Sequence, residues 1–327
     1  MTANRIEYSR FAVNETPYCY WMNDIHGYNK RVIQCIDPDY WHSASYMIRK
    51  CAEKNEIIAA VHSRMYYLTS LETMFAHLFS LLQAPDCIMG WLHNYGKRDI
   101  KRIINKIDTK HQLYTKLELA ITWKELTHFL FSDITQTDAK LPESLMFYER
   151  YLRMFANEIQ SVSVGEELNS IKHGLRVNSG GFGLAFGPQE APGIPAPPEK
   201  MMSLGSSATG MTYWIKENIG SDKKNYGLRE KSVNWTFDSQ ISRLELIAVY
   251  MNNIKHMMLQ VNGYDTENTP KMYVTEHEKL QSALSAPLNA PHAFDFKAEI
   301  HPEWIKEFTT AEVLSVYDKP RYRRVKN

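Results

Sequence analysis

The chain has 327 residues, 44% of them hydrophobic, and its 38 Lys and Arg nearly cancel its 37 Asp and Glu. That is enough apolar material for a real core, in one large domain or two modest ones, and no global field announces nucleic acid or membrane. The four cysteines, Cys19, Cys35, Cys51 and Cys87, include no Cys-x-x-Cys pair, so zinc and redox-motif readings give way to reduced structural thiols in a cytosol.

Residues 1–43 are aromatic-rich without clear periodicity and are expected to form an irregular lead-in packed on the body. The start, MTANRIEYSRF, lacks the apolar core of a signal peptide, which points to the cytoplasm. From about Ser45 to Gln83 the pattern changes: Ile58, Val61, Met65, Leu68, Phe75, Phe79 and Leu82 recur at three- and four-residue steps. This spacing predicts one long amphipathic helix, stopped by Pro85. Glu72 interrupts the seam where an apolar side chain is expected. A buried carboxylate needs water or a partner, so Glu72 either reaches the seam edge or meets another helix. The most apolar stretch, Met74–Leu92, is broken by His77, Gln83, Pro85 and Asp86 and reads as a core helix and its turn, not a membrane span.

A short basic helix is predicted over 97–107. Its isoleucines give a buried stripe, and Lys97, Arg98, Lys101, Arg102, Lys106 and Lys110 give a positive face, with Lys97, Arg98, Lys101 and Arg102 the candidate nucleic-acid contacts. That face either contacts nucleic-acid phosphates or is a solvated surface. Residues 111–132 predict a third helix, with Leu119, Trp123, Leu126 and Leu130 in register. It carries Glu125 and His128, but the chain has no second Glu-x-x-His pair with which to build a di-metal site, so no metal is expected. Pro142 opens another long helix, with Leu145, Tyr148, Leu152, Phe155, Ile159 and Val162 as its seam.

The stretch 178–210 holds seven of the fifteen glycines and five of the fourteen prolines, which excludes helix there. Its glycine spacing is neither a dinucleotide fingerprint nor a Walker loop. Strand-like runs at Gly183–Phe186, Met211–Ile215 and Ser232–Phe237 predict a small β-hairpin or three-strand flap, inserted at about 180–237. A last long helix follows, capped by Asp238 or Ser239 and ended by Gly263, with Ile241, Leu244, Ile247, Met251, Ile254, Met258 and Val261 as its seam. Residues 264–327 predict an extension with one short helix near 302–316 and a basic tail, KPRYRRVKN. The fold class expected is therefore mainly α: a helical bundle over 44–263 with a small inserted β flap and irregular terminal segments.

One stretch points toward chemistry: residues 166–187, EELNSIKHGLRVNSGGFGLAFG. Either the preceding helix continues through it, and its apolar face turns polar, or the helix breaks at Gly165. In both cases Asn169, His173 and Arg176 share one side of a helix. Cations that finish a helix are favoured by its dipole, by about 0.3–1 kcal/mol each. The other reading is a site beneath the flap, with His173 as acid or base and Arg176 or Lys172 holding phosphate. Glu72 and this cluster are two polar breaks in neighbouring helices, and two such breaks cost less together than apart. Glu72 is therefore expected beside His173 or Arg176, completing a candidate catalytic set of Glu72, Asn169, Lys172, His173 and Arg176.

Over about residues 45–262 the long helices, the Asn169-Ser-Ile-Lys172-His173-Gly174-Leu-Arg176 element at a helix end, the inserted hairpin and the further helix resemble the HEPN group of helical-bundle proteins. The resemblance implies a bundle, often a homodimer, of a kind found among RNA-cleaving toxins and defence proteins, many of whose members are non-catalytic. Catalytic members carry arginine, four to six residues, then histidine; that spacing is absent here, and Arg176 follows His173. Whether the chain is an enzyme stays open. If it is, a metal-independent ribonuclease-like activity without a cofactor is implied. Two functions follow: a cytoplasmic protein that binds or acts on RNA, or a non-catalytic interaction or scaffold protein that docks a partner through residues 1–43 or the 180–237 flap.

Overall fold

The computed structural model describes residues 6–131, 141–173, 176–189, 191–218, 226–274, 276–297, 306 and 308–315. It begins with a hairpin, β1 (Glu7–Val13) and β2 (Thr16–Met22), paired in antiparallel register from Glu7↔Met22 to Val13↔Thr16. Asn14 makes its tight turn, at φ 55°, a left-handed conformation that asparagine tolerates better than most residues. α1 (Ile25–Cys35) follows, capped by the Asp24 carboxylate, which accepts from Gly27 N at 2.8 Å. The N-terminal region is thus ordered strand and helix rather than an irregular lead-in.

The expected helix from Ser45 to Gln83 is two helices, α2 (Asp39–Ala52) and α3 (Glu56–Gln83). The division is local chemistry: the Asn55 side chain accepts from Ile58 N at 3.1 Å and so caps a new helix. Within α3 the seam holds from Val61 to Leu82, whereas Ile58 is exposed. Next come α4 (Ile88–Asn94), α5 (Lys97–Thr109) and α6 (Trp123–Phe131). The expected helix over 111–132 is confined to its second half, because Thr115 and Lys116 are held in a turn by the free carbonyl of Leu82. α7 (Leu141–Gln160) and α8 (Val162–Lys172) are parted at Ser161, so neither an unbroken helix nor a break at Gly165 is found.

Helices predominate, but the β content makes an α/β mixture, not a pure bundle. β3 (Val177–Ser179) is followed by β4 (Gly183–Phe186), β5 (Met202–Ser206), β6 (Gly210–Asn218) and β7 (Tyr226–Asn234). Beyond α9 (Phe237–Val261) and α10 (His277–Leu284) come β8 (Ala293–Lys297) and α11 (Thr310–Leu314). β4 and β5 form a second hairpin, and β3-β6-β7-β8 form a four-stranded antiparallel sheet. Strands therefore lie on both sides of the expected 180–237 insertion. β8 and α10 also give order to a C-terminal region expected to be irregular, and the expected short helix near 302–316 is α11 among the described residues. The basic tail lies outside them.

α3 and α9 run through the centre of the core, where Tyr67, Leu71, Phe75, Leu244, Ile247 and Tyr250 are fully buried. Buried amides bind the flanking segments to this centre. Gln83 uses its whole side chain: it donates to the carbonyls of Asn14 and Tyr114 and accepts from Asn14 N and Trp91 Nε1. Asn29 joins α1 to the α3–α4 turn through Pro85 O and Ile88 N. Asn253 pairs with both backbone groups of Met272. Because each amide satisfies backbone groups that would otherwise be buried without partners, these residues fix loops without secondary structure of their own.

The glycine-rich run has a comparable cause. Asn234 accepts from Phe182 N and donates to the carbonyls of Phe182 and Pro291, all at 2.9 Å. A Cβ at Gly181 or Gly210 would sit 2.7 or 2.6 Å from the Asn234 Oδ1. Only glycine lets the chain approach this clamp so closely.

Candidate functional site

α8 presents Leu168 and Ile171 inward together with Glu167, while Asn169 and Lys172 face outward. His173 is the C-cap and is exposed; its N–H bonds Asn169 O at 3.0 Å. Arg176 is exposed, and its backbone N–H donates to Ser170 O at 2.9 Å. Glu72 reaches this end of the helix, but its partner is Lys172, at 3.3 Å, not His173 or Arg176. Among the described residues no side chain hydrogen-bonds the His173 ring, so the carboxylate that would orient a catalytic imidazole is missing from the described surroundings. Exposed basic side chains close to a helix C-terminus are the arrangement that the helix dipole favours by itself.

The basic helix comes to the same corner. Lys97 lies at the start of α5, its Nζ 3.5 Å from where a Cβ on Gly165 would stand. Burial lowers its pKa, the charges of Lys101 and Lys172 push in the same direction, and Glu72 opposes them. The two cationic groups singled out in the sequence therefore meet around one carboxylate. Tyr95 feels that carboxylate too: burial, then Glu72, raises its pKa. Much of the predicted phosphate-binding face is already engaged. Lys101 donates to Gln160 O and Ser161 O at 2.8 and 3.3 Å, closing the α7–α8 joint. Lys106 pairs with Glu15 at 2.5 Å. Arg98, Arg102 and Lys110 are the exposed members of the run, and Arg102 lies 3.9 Å from Asp99.

The densest polar chemistry lies elsewhere and was not singled out in the sequence. Arg64 of α3 makes a two-pronged pair with Glu167 of α8, at 2.6 and 2.8 Å, and donates to Gln240 of α9 at 3.3 Å. Tyr67, one turn further along α3, donates to Glu158 of α7, which also receives Arg243 of α9. Both arginines lie near the Tyr67 ring, and Arg64 also lies 5.6 Å from the Trp235 ring centre. Burial disfavours the charge on Arg64, but Glu167 and then Glu158 outweigh it and raise its pKa. Tyr67 is pushed far up, by burial first and then by Glu158, so it remains a neutral donor. Two cations and two carboxylates thus balance inside the protein, with their bonds made to each other. The signal in the sequence was a charge at the edge of each apolar seam: Arg64 before Leu68, Glu158 between Phe155 and Ile159, Glu167 beside Leu168, and Arg243 beside Leu244.

The network opens to solvent at Glu158, which lines an open groove of about 800 Å³ along α7 with Met146, Arg150, Met154, Asn157 and Val164. This groove is not built around the Asn169–Arg176 cluster. Glu125 and His128 lie on α6, where His128 is exposed. All four cysteines are free thiols. Among the described residues no helix is long and apolar enough to cross a membrane.

A second surface stands out by the opposite property. Strand alternation places Trp214 on β6, Tyr226 and Leu228 on β7, and Phe294 and Phe296 on β8 on the face of the sheet turned away from the helices. All five are exposed, Leu228 by 74% and Phe296 by 59%. The inward face carries Met211 and Tyr213, fully buried, and Lys231, which reaches Glu166 of α8 at 2.7 Å. No family model, curated protein or solved structure matches this chain.

Proposed function

We propose that this chain is a non-catalytic interaction protein that docks a protein partner through the outer face of its four-stranded sheet. One observation carries the reading: five large apolar side chains from three strands share an exposed face, while the opposite face packs Met211 and Tyr213 of β6 against the helices. Leaving such a surface in water is unfavourable by roughly 25 cal/mol per Å² of apolar area, and contiguous patches of this kind mark binding sites. The polar clusters support it by contrast. The buried Arg and Glu side chains bond one another, and His173 has no orienting partner among the described residues.

The test compares the wild-type chain with the double variant Leu228→Asp, Phe296→Asp. Both are purified from cells under mild conditions, with protein and nucleic acid in the bound material identified. Co-purifying protein should be lost with the variant while its circular dichroism is unchanged. Equal recovery of the same proteins by both chains would remove the sheet face from the reading.

The RNA reading retains one supporting observation: Lys172 pairs with Glu72 at 3.3 Å, and Lys97 feels the charges of both. On that reading, and on the HEPN-like resemblance behind it, RNA phosphate would lie across Lys97, Arg98, Lys101, Arg102 and the Asn169–Arg176 strip, and His173 would serve any cleavage. RNA affinity should then fall steeply with salt, through counterion release. Reversal of charge at Lys97, Lys101 and Arg102 should abolish binding. Unchanged RNA affinity after that reversal leaves these residues as part of the α5–α7 joint.

A further inference from the structure

We infer that the partner of the outer sheet face is a second copy of this chain, related by a two-fold axis. The inference rests on the docking reading above and adds the identity of the occupant. The face sets five large apolar side chains among the neutral polar Thr212, Asn218, Ser232 and Asn234, and its two charges among the described residues are opposite. Lys216 stands on β6 and Glu230 on β7, both exposed and both on the outward side with Trp214 and Leu228. The pairing register sets Trp214 beside Glu230 and Lys216 beside Leu228, so the four form a rectangle with the two charges at opposite corners. Glu230 accepts a hydrogen bond from Trp214 Nε1 at 3.1 Å, and Lys216 lies 4.2 Å from the centre of the Tyr226 ring. Among the described residues neither charge has an ion-pair partner.

With strand and residue spacings of about 4.8 and 6.8 Å, an axis lying in the interface along the Trp214–Leu228 diagonal carries each of the other two corners to within about 3 Å of the other, inside the reach of these side chains. It brings Lys216 of each copy opposite Glu230 of the other, and sets Trp214 against Trp214 and Leu228 against Leu228. Such a contact is isologous: one surface serves both partners, which is the commonest form of soluble oligomer. Neighbouring strands lie about 4.8 Å apart and alternate residues about 6.8 Å apart along a strand, so the two sheets cross steeply, as in orthogonal sheet packing. Among the described residues the face carries one cation, one acid and otherwise neutral side chains, so its charges balance and it is complementary to itself. A strongly charged partner would find no counter-field on it.

The test is sedimentation equilibrium of the full chain over about 1–100 µM, the range in which a modest interface associates reversibly, with folding checked by circular dichroism. The wild type should be a dimer at the upper end. Lys216→Glu alone and Glu230→Lys alone each place like charges opposite one another and should shift the chain to monomer. The double variant Lys216→Glu, Glu230→Lys restores the pairing with reversed sense and should return the dimer. Leu228→Asp should give monomer whatever happens at the charges. A wild type that is monomeric throughout overturns the inference. So does a dimer indifferent to Leu228→Asp, which would associate elsewhere, and so does a double variant that stays monomeric. The docking reading is judged separately. If the wild type is monomeric but Leu228→Asp still abolishes recovery of a different protein, only the identity of the occupant falls; if neither association depends on the face, both fall.

Discussion

The bundle interior and the outer sheet face invert the usual distribution of side chains. Between α3, α7, α8 and α9 the protein holds two arginines and two glutamates largely out of solvent, Glu167 fully buried. On the sheet it exposes tryptophan, tyrosine, leucine and two phenylalanines. The inversions differ in what they leave unmet. Each of these charges meets a partner in a distant part of the chain, so the pairs need no ligand to explain them, although Glu158 also reaches the groove along α7. Among the described residues the apolar face meets Phe182 at Phe294, with ring centres 6.3 Å apart, and its large side chains stay exposed. Burial of a charge is thus a poorer sign of function here than exposure of an apolar patch: one problem is solved within the molecule and the other is left for a partner.

The largest expected effect tests these pairs. Glu167→Ala leaves Arg64 buried with its two-pronged partner removed, and should cost about 3–5 kcal/mol in urea unfolding. A loss below about 1 kcal/mol would mean that water replaces the carboxylate and that the pair is not held out of solvent. Asn234→Ala removes three hydrogen bonds that tie the flap and the 289–292 segment to the sheet. It should cost roughly 2–3 kcal/mol and speed amide exchange at Phe182, with little change at α3. Uniform acceleration across the chain would show that flap and bundle unfold together.

A pH effect comes next. Burial lowers the pKa of His77, whose Nδ1 lies 2.8 Å from Thr73 O, below its ordinary value of 6.5. The folded state therefore binds this proton less readily than the unfolded chain. The stability tied to neutral His77 is complete above 6.5 and is lost as pH falls through the lower, folded value. His77→Gln should flatten the acid side of the melting-temperature profile; an unchanged slope assigns it to other groups. Smaller still is the partly exposed pair of Glu72 and Lys172. Glu72→Gln should change stability by only about 0.2–1 kcal/mol. It should also lower the Lys97 pKa further, since Glu72 opposes the depression, and faster reductive methylation at Lys97 would register this. Smallest is Leu228→Ser on the outer face, which should leave stability within about 0.5 kcal/mol of wild type. A large loss would mean that Leu228 packs within its own chain and would weaken the contrast between the two regions.

The sequence determined what depends on near neighbours. The seams of α3, α7 and α9 follow from the 3.6-residue period. The glycine-rich run excluded helix, and α5 was legible with its buried stripe because one helix face can be read from its own residues. The candidate cluster at 166–176 was legible as a helix end for the same reason, and so was the need of Glu72 for company.

Tertiary structure decided what depends on partners far along the chain. β8 is too short to declare itself and exists as a strand because β7 offers it a ladder from Val233 to Arg229. The lead-in and C-terminal segment became ordered through Gln83, Asn29 and Asn253, amides whose sequences give no hint of the backbone groups they would meet. Arg64 and Glu167 lie 103 positions apart, and Glu72 found Lys172 rather than the next residue, His173. Pairing between such distant groups is set by how helices cross, a property of the packed core and not of any local pattern. The exposed apolar face was hidden for the same reason: alternation along β6 and β7 separates two faces, and only the docked α8 decides which of them the helices cover.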